Sequence, residues 1–286
     1  MNAEFQNYIS NLISESIVSL YPVSGGDISR SYKLETSKNS YFVKVNQSTD
    51  ALNMFRTEAM ALKLIQDSNT IKTPDVLVYD TFQESSFLIL EFVESKSPSN
   101  RDFKALGLKL AELHQNTSNV FGLEEDNFIG SLHQSNHPNS SWVDFYVKER
   151  LLPQLLLAQQ RGLLSERECP SEGIMNGKLN DLFLEVKPSL LHGDLWGGNY
   201  LISEEGIPYL IDPAVYYGDH EVDIAMSRLF SGFGSDFYNA YHTIHPTDLK
   251  TASRIEIYQL YYLLVHLNLF GRSYYGSVQH ILKKYF

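Results

Sequence analysis

The chain holds one cysteine, Cys169, among 286 residues. No disulfide can form within it, and without a His-paired motif Cys169 reads as an inert thiol rather than a nucleophile. Positive charge is scarce. There are 23 Lys and Arg against 34 Asp and Glu, a net charge of −11. That balance argues against nucleic acid or an anionic membrane surface as a partner. No apolar run approaches the roughly 18 residues of a membrane span. The first residues, Met1-Asn2-Ala3-Glu4-Phe5, lack the basic and apolar regions of a signal peptide, so a cytoplasmic protein is expected. No internal repeat or low-complexity segment is present. Hydrophobic residues make up 43%, ample for a core, and the length suits one large domain or two lobes.

The periodicities divide the chain unevenly. Residues 1–15 place Phe5, Tyr8, Ile9, Leu12 and Ile13 on one helical stripe. From Ile17 to Asn46 the pattern alternates as strands, with turns near 22–27 and 38–40. Residues 50–66 return to helical spacing, and 76–79 and 87–93 read as two more strands. The segment Glu94–Asn100 is polar, contains Pro98 and reads as a hinge. Helices then dominate, over 101–115, 141–160 and most of the last third. The reading is α+β: a small N-terminal antiparallel sheet lobe with a helix, 1–93, a linker, 94–100, and a larger, mainly helical lobe, 101–286.

The most informative segment is Leu191-His192-Gly193-Asp194-Leu195-Trp196-Gly197-Gly198-Asn199, followed by Leu210-Ile211-Asp212-Pro213. The interval from Asp194 to Asn199 is that of the protein-kinase catalytic loop, with a second Asp further on. Phosphoryl transfer needs this set. One carboxylate accepts the proton of an attacking hydroxyl, and an Asn and another Asp hold Mg²⁺ on the ATP phosphates. The spacing predicts Asp194 as base and Asn199 and Asp212 as metal ligands. Strands at 200–203 and 207–211 with a two-residue turn, Glu205-Gly206, would place 203 opposite 208 and 199 opposite 212. His192 has no second His at a ligand spacing and reads as a loop-ordering residue bonded to backbone or to Asp212.

Other segments fit ATP. Lys44, inside the strand 41–45, suits the phosphate-gripping Lys of a kinase lobe, with Glu58 in the next helix as its partner. Gly25 and Gly26 would let backbone N–H groups approach the phosphates. Main-chain groups of Glu91 and Val93, at the end of the last strand before the hinge, are expected at the adenine edge. ATP is expected between the lobes.

The chain resembles the fructosamine kinase (ketosamine-3-kinase) family, a branch of the aminoglycoside-phosphotransferase-like kinases. The carrying segments are 22–28, Phe42-Val43-Lys44, Phe128-Ile129-Gly130, 142–146, 191–199 and, most specifically, 211–225. Tyr258-Gln259-Leu260-Tyr261 and 266–271 add to it. The resemblance implies a two-lobed protein-kinase-like fold. It also implies phosphorylation, by ATP with Mg²⁺, of the 3-hydroxyl of ketosamines: sugar adducts of small amines or of glycated protein lysines. The 3-phosphate then eliminates and frees the amine. Asp27 stands where some members carry a cysteine, so a redox-switched dimer is not expected and a monomer is. Trp196 is expected to stack on the sugar or its amine stem, and His266 and Asn268 to line the acceptor groove. Asp219, Glu221 and Asp223 either attract the cationic amine or form the acidic first turn of a helix. The competing readings are another small-molecule kinase of the aminoglycoside or choline type, and an inactive ATP-binding protein.

Overall fold

The computed structural model describes residues 2–23, 28–183 and 185–286. Gly25 and Gly26 lie outside the described residues. The elements run α1 (Ala3–Ile13), β1 (Ile17–Pro22), β2 (Arg30–Thr36), β3 (Ser40–Asn46), α2 (Ala51–Asp67), β4 (Val76–Phe82), β5 (Ser85–Glu91) and α3 (Asn100–Leu113). After the short pair β6 (Asn127–Ile129) and β7 (Leu132–Gln134) come α4 (Trp142–Phe145), a π-helical turn Tyr146–Leu151, α5 (Leu152–Gln160) and α6 (Glu172–Asn180). Then follow β8 (Ser189–Leu191), β9 (Tyr200–Ile202), β10 (Pro208–Leu210), β11 (Tyr216–Gly218), α7 (Glu221–Leu229), α8 (Ser235–Tyr241), α9 (Thr251–Phe270) and α10 (Tyr275–Tyr285). No described helix is long and apolar enough to cross a membrane.

The chain forms two compact units, 1–97 with 201–212, and 98–200 with 213–286. The first is built on an antiparallel sheet of order β1-β2-β3-β5-β4. Strand alternation decides what covers each face. Tyr41, Val43 and Val45 join Phe87 and Ile89 against Phe5 and Ile9 of α1. Phe42, Leu88 and Leu90 pack on Phe55, Ala59 and Leu62 of α2. Lys44 follows the parity of Phe42 and therefore faces α2. The reading of 101–286 as one lobe differs in one place: the hairpin β9–β10 belongs with the N-terminal unit from Leu201 to Asp212. Backbone bonds explain it. Lys96 N–H donates to Ile202 O at 2.9 Å, and Leu210 N–H to Lys72 O at 2.8 Å.

The second unit is helical. α3 opens with a capping box in which Ser99 and Asp102 satisfy each other's N–H groups. α9 is hydrophobic nearly all round, and Tyr258, Tyr261 and Tyr262 lie fully inside. The helix expected over 141–160 forms: α4, the π-helical turn Tyr146–Leu151 and α5 run on without interruption from Trp142 to Gln160. Pro153, near the start of α5, has no N–H to continue a regular ladder.

Candidate active site

The first unit brings three of the predicted residues together. Lys44 Nζ donates to Glu58 Oε1 at 2.7 Å and to Asp212 Oδ1 at 2.5 Å. The Lys44 and Glu58 side chains are buried, while Asp212 keeps about a third of its surface exposed. Burial opposes the Lys44 charge, but the Asp212 and Glu58 carboxylates outweigh it and hold its pKa above the ordinary value. Burial pushes the Glu58 carboxyl up, to about 7, with Lys44 pulling the other way. One ammonium between two acids is a device for fixing its direction. Asp212 sits at φ 54°, a left-handed conformation uncommon for a residue with a side chain.

The hairpin that delivers Asp212 differs from the expected one. Gly206 N–H donates to Ser203 O at 2.8 Å and Ser203 N–H to Ile207 O at 2.9 Å. The loop thus holds three residues, 204–206, with Gly206 at φ 82°. A two-residue turn would have needed Glu205 at positive φ, whereas the three-residue loop places only the glycine there. The pairing of 203 with 208, and the count back to 199 opposite 212, are corrected by one position. At the end of β5, Glu91 N–H donates to Asp75 O at 2.8 Å. Val93 follows in irregular backbone, half-buried.

The second unit carries the loop from His192 to Asn199. β8 is wholly buried and pairs with β11, Leu191 opposite Tyr216. The chain then turns at Gly193, φ 83°, where a Cβ would lie 2.1 Å from Ala214 O. Only glycine fits so close an approach. Asp223 Oδ2 accepts the His192 N–H at 2.7 Å, and its Oδ1 accepts the Gly193 N–H at 2.8 Å. His114 Nε2 meets the same Oδ2 at 3.0 Å. Burial works against the Asp223 charge, yet His114, His192 and the Gly193 N–H keep its pKa below the usual carboxylate range. His192 is buried and accepts the Asp194 N–H on Nδ1 at 3.2 Å, which requires the proton on Nε2. Its loop-ordering part is therefore played on the backbone of Asp194. Asn199 Nδ2 donates to Asp194 O at 2.8 Å and to Asp194 Oδ2 at 3.3 Å.

The acceptor-side expectations divide. Trp196 is 38% exposed, and its ring lies over Gly198, where a Cβ would be 2.3 Å from Cη2. It is not a core residue. His266 is half-buried, its Nδ1 donates to Tyr262 O at 2.8 Å, and its ring packs 4.5 Å from that of Phe230. Asn268 does not line a groove. It is buried, with Nδ2 on Gln154 O and Oε1, both at 2.9 Å. Two helical positions are about 200° apart, so 266 and 268 face opposite ways on α9. The acidic run is also internal. Asp219 accepts from Tyr258, and Glu221 pairs with Arg254 at 2.6 Å. None of the three acids is spare for a cationic amine. Asp223 is the functional residue the sequence reading underused. Its signal was an acid between Val222 and Ile224-Ala225, too apolar a setting for a solvated helix turn.

Asn199 carries an amide oxygen and Asp212 a carboxylate, each by itself the kind of hard oxygen that Mg²⁺ takes. Asn199 commits its NH₂ group to Asp194, which leaves its oxygen for a cation. Among the described residues no group of three His, Cys, Asp or Glu could hold a metal alone.

A five-stranded sheet with a buried Lys–Glu pair, and a helical unit bearing a His-x-Asp loop closed by Asn, define a phosphotransferase of the protein-kinase-like class. The fructosamine kinase family model matches residues 1–286. The chain is 39% identical to the "Probable ketoamine kinase" of Lactiplantibacillus plantarum, covering 98% of this chain and 99% of that one. It is 34% identical to the ketosamine-3-kinase of Mus musculus, over 91% and 92%. A solved structure of a candidate fructosamine-3-kinase from Haemophilus somnus superposes with a TM-score of 0.87 at 29% identity, over 98% and 96%. The chain belongs to the fructosamine kinase family, and it is an ATP-dependent kinase with an alcohol group as acceptor.

Proposed function

We propose that this kinase phosphorylates the 3-hydroxyl of ketosamines, the ribulosamine and fructosamine adducts of free amines or protein lysines. The observation that carries the reading is the Asp194 loop, pinned from beneath by Asp223 and followed two residues later by an exposed Trp196. Asp194 orients the hydroxyl and accepts its proton as the oxygen attacks the γ-phosphorus. Lys44, held by Glu58, grips the phosphates, and main-chain groups at Glu91 and Val93 bond the adenine edge. Gly25 and Gly26 remain assigned to the phosphates. Bound Mg²⁺, on Asn199 and Asp212, supplies neutralisation of the charge on the phosphate oxygens. Trp196 offers its face to the protonated amine or the sugar, a contact of about 0.5–2 kcal/mol. The phosphorylated ketosamine then loses phosphate by β-elimination, and water hydrolyses the remaining sugar–amine adduct to a deoxy dicarbonyl and the free amine.

The test is ATP turnover with ribulose-lysine and fructose-lysine derivatives beside aminoglycosides and choline, for the wild type and Asp194→Asn. Turnover confined to ketosamines and abolished in Asp194→Asn is expected, with nucleotide binding retained. Equal turnover on the other alcohols refutes the substrate class. A fully active Asp194→Asn refutes the base.

A further inference from the structure

Among the described residues Arg150 is the largest fully buried side chain, and its guanidinium donates to uncharged oxygens rather than to a carboxylate. Its Nη1 donates to Ser135 O at 2.5 Å and Glu149 O at 3.0 Å, and Nη2 to Asn136 Oδ1 at 2.6 Å. The guanidinium carbon lies 3.9 Å from the centre of the Tyr216 ring and 4.8 Å from that of Phe145. The helix is distorted to place it. Arg150 stands in the π-helical turn, and Pro153 has no N–H for the Glu149 carbonyl that Arg150 meets. A buried cation without an acid is costly, and apolar residues of similar volume commonly fill such space with no loss of stability.

Its partners form a continuous polar chain. Asn136 Nδ2 donates to Asn127 Oδ1 at 3.1 Å, and Gln134 Nε2 to the same oxygen at 2.8 Å. The Tyr261 hydroxyl donates to Gln134 Oε1 at 2.5 Å. From this chain three successive residues are gripped: Gln134 Nε2 bonds Ala214 O at 3.3 Å, Asn127 Nδ2 bonds Val215 O at 2.8 Å, and Arg150 covers the Tyr216 ring. The gripped segment is the neighbour of the catalytic loop. Ala214 N–H donates to His192 O at 2.8 Å, Tyr216 pairs with Leu191, and Ala214 O presses on Gly193.

We infer that Arg150 is a positioning residue for phosphoryl transfer, fixing residues 214–216 and through them the backbone that carries Asp194. The inference rests on Asp194 as the base. A shift of Ala214 by a few tenths of an ångström meets Gly193 directly, one residue before the reacting carboxylate. Misplacement of about 1 Å is enough to cost roughly a hundredfold in rate. Lysine keeps the charge but has no fork to hold Ser135 and Asn136 while covering Tyr216.

The experiment is steady-state kinetics on a ketosamine, well below each variant's Tm, for Arg150→Lys, Tyr261→Phe and the double variant. Arg150→Lys is expected to lower kcat by about ten- to a hundredfold, with KM for ATP changed by less than about twofold. Tyr261→Phe should lower kcat several-fold, and the double variant should fall short of the product of the two, because both act through one network. Wild-type kcat in a destabilised Arg150→Lys, or effects that multiply independently, overturns the inference. Should Arg150→Lys not fold, wild-type kcat in Tyr261→Phe overturns it alone. An active Asp194→Asn refutes the base assignment instead, and an inactive one beside an unaffected Arg150→Lys refutes only this inference.

Discussion

Asp223 Oδ1 accepts the Gly193 N–H at 2.8 Å, so a fully buried carboxylate on α7 holds the backbone one residue before Asp194. Its other oxygen takes the His192 N–H and His114. This is a rigid-scaffold solution to a loop problem: Asp194, the proposed base, sits on irregular backbone, and a helix supplies the fixed point.

Asp223→Ala should therefore damage fold and catalysis together. It orphans two buried N–H groups and a histidine, and removing one partner of such a group costs about 3–5 kcal/mol. Urea unfolding and kcat should fall in the same variant. Stability close to the wild type, with full activity, would show that the loop holds itself.

Asp212→Ala addresses the metal and the lysine. The variant loses the carboxylate proposed to bind Mg²⁺, which is also one of the two on Lys44. Turnover should drop steeply, and the Mg²⁺ concentration for half-activity should rise. Lys44 keeps Glu58, so the fold should persist. An unchanged Mg²⁺ titration would remove Asp212 from the ligand set.

Trp196→Ala should affect the acceptor and spare ATP. The ring is exposed two residues after the proposed base, so its loss should lower kcat/KM for the ketosamine by roughly ten- to a hundredfold. Because the side chain is 38% exposed, the Tm should move little. A large fall in Tm with unchanged ketosamine kinetics would make Trp196 a packing residue.

Acid stability should depend on His220. Burial, with the charges of His114 and His245 nearby, holds its pKa down to about 3. Its Nδ1 bonds the Tyr241 hydroxyl at 2.9 Å, and Tyr241 also bonds His114. The unfolded chain protonates this histidine near 6.5. Between about 3 and 6.5 the unfolded state binds more protons, so stability rises with pH across that window and is lost as pH falls through it. The Tm should drop between pH 7 and 5, and less so in His220→Asn. An equal drop in both proteins would assign the acid sensitivity elsewhere.

The elements were legible where the pattern was strong. The stripe Phe5–Ile9, the alternation 41–45 and the helix around Phe55–Leu62 all form as the periodicity implied. Lys44 and Glu58 meet because strand parity points Lys44 at α2. The reading failed where one residue in a turn or helix decides direction. Gly206 moved the hairpin register by one. Asn268, read with His266, turned inward because two helical steps reverse the face.

By itself the sequence determined the reaction class, because phosphoryl transfer needs few residue types at narrow intervals, and Asp194, Asn199, Asp212 and Lys44 stand at such intervals. It could not determine which acids serve the chemistry and which serve the scaffold. Asp194, Asp219 and Asp223 are the same residue type, and only burial and partners separate them. Asp223 lies under two N–H groups and Asp219 under a tyrosine, 30–31 residues along the chain from the loop in the first case and 39 from its partner in the second. A buried charge is defined by what surrounds it, and those surroundings are assembled from distant segments only when the chain folds.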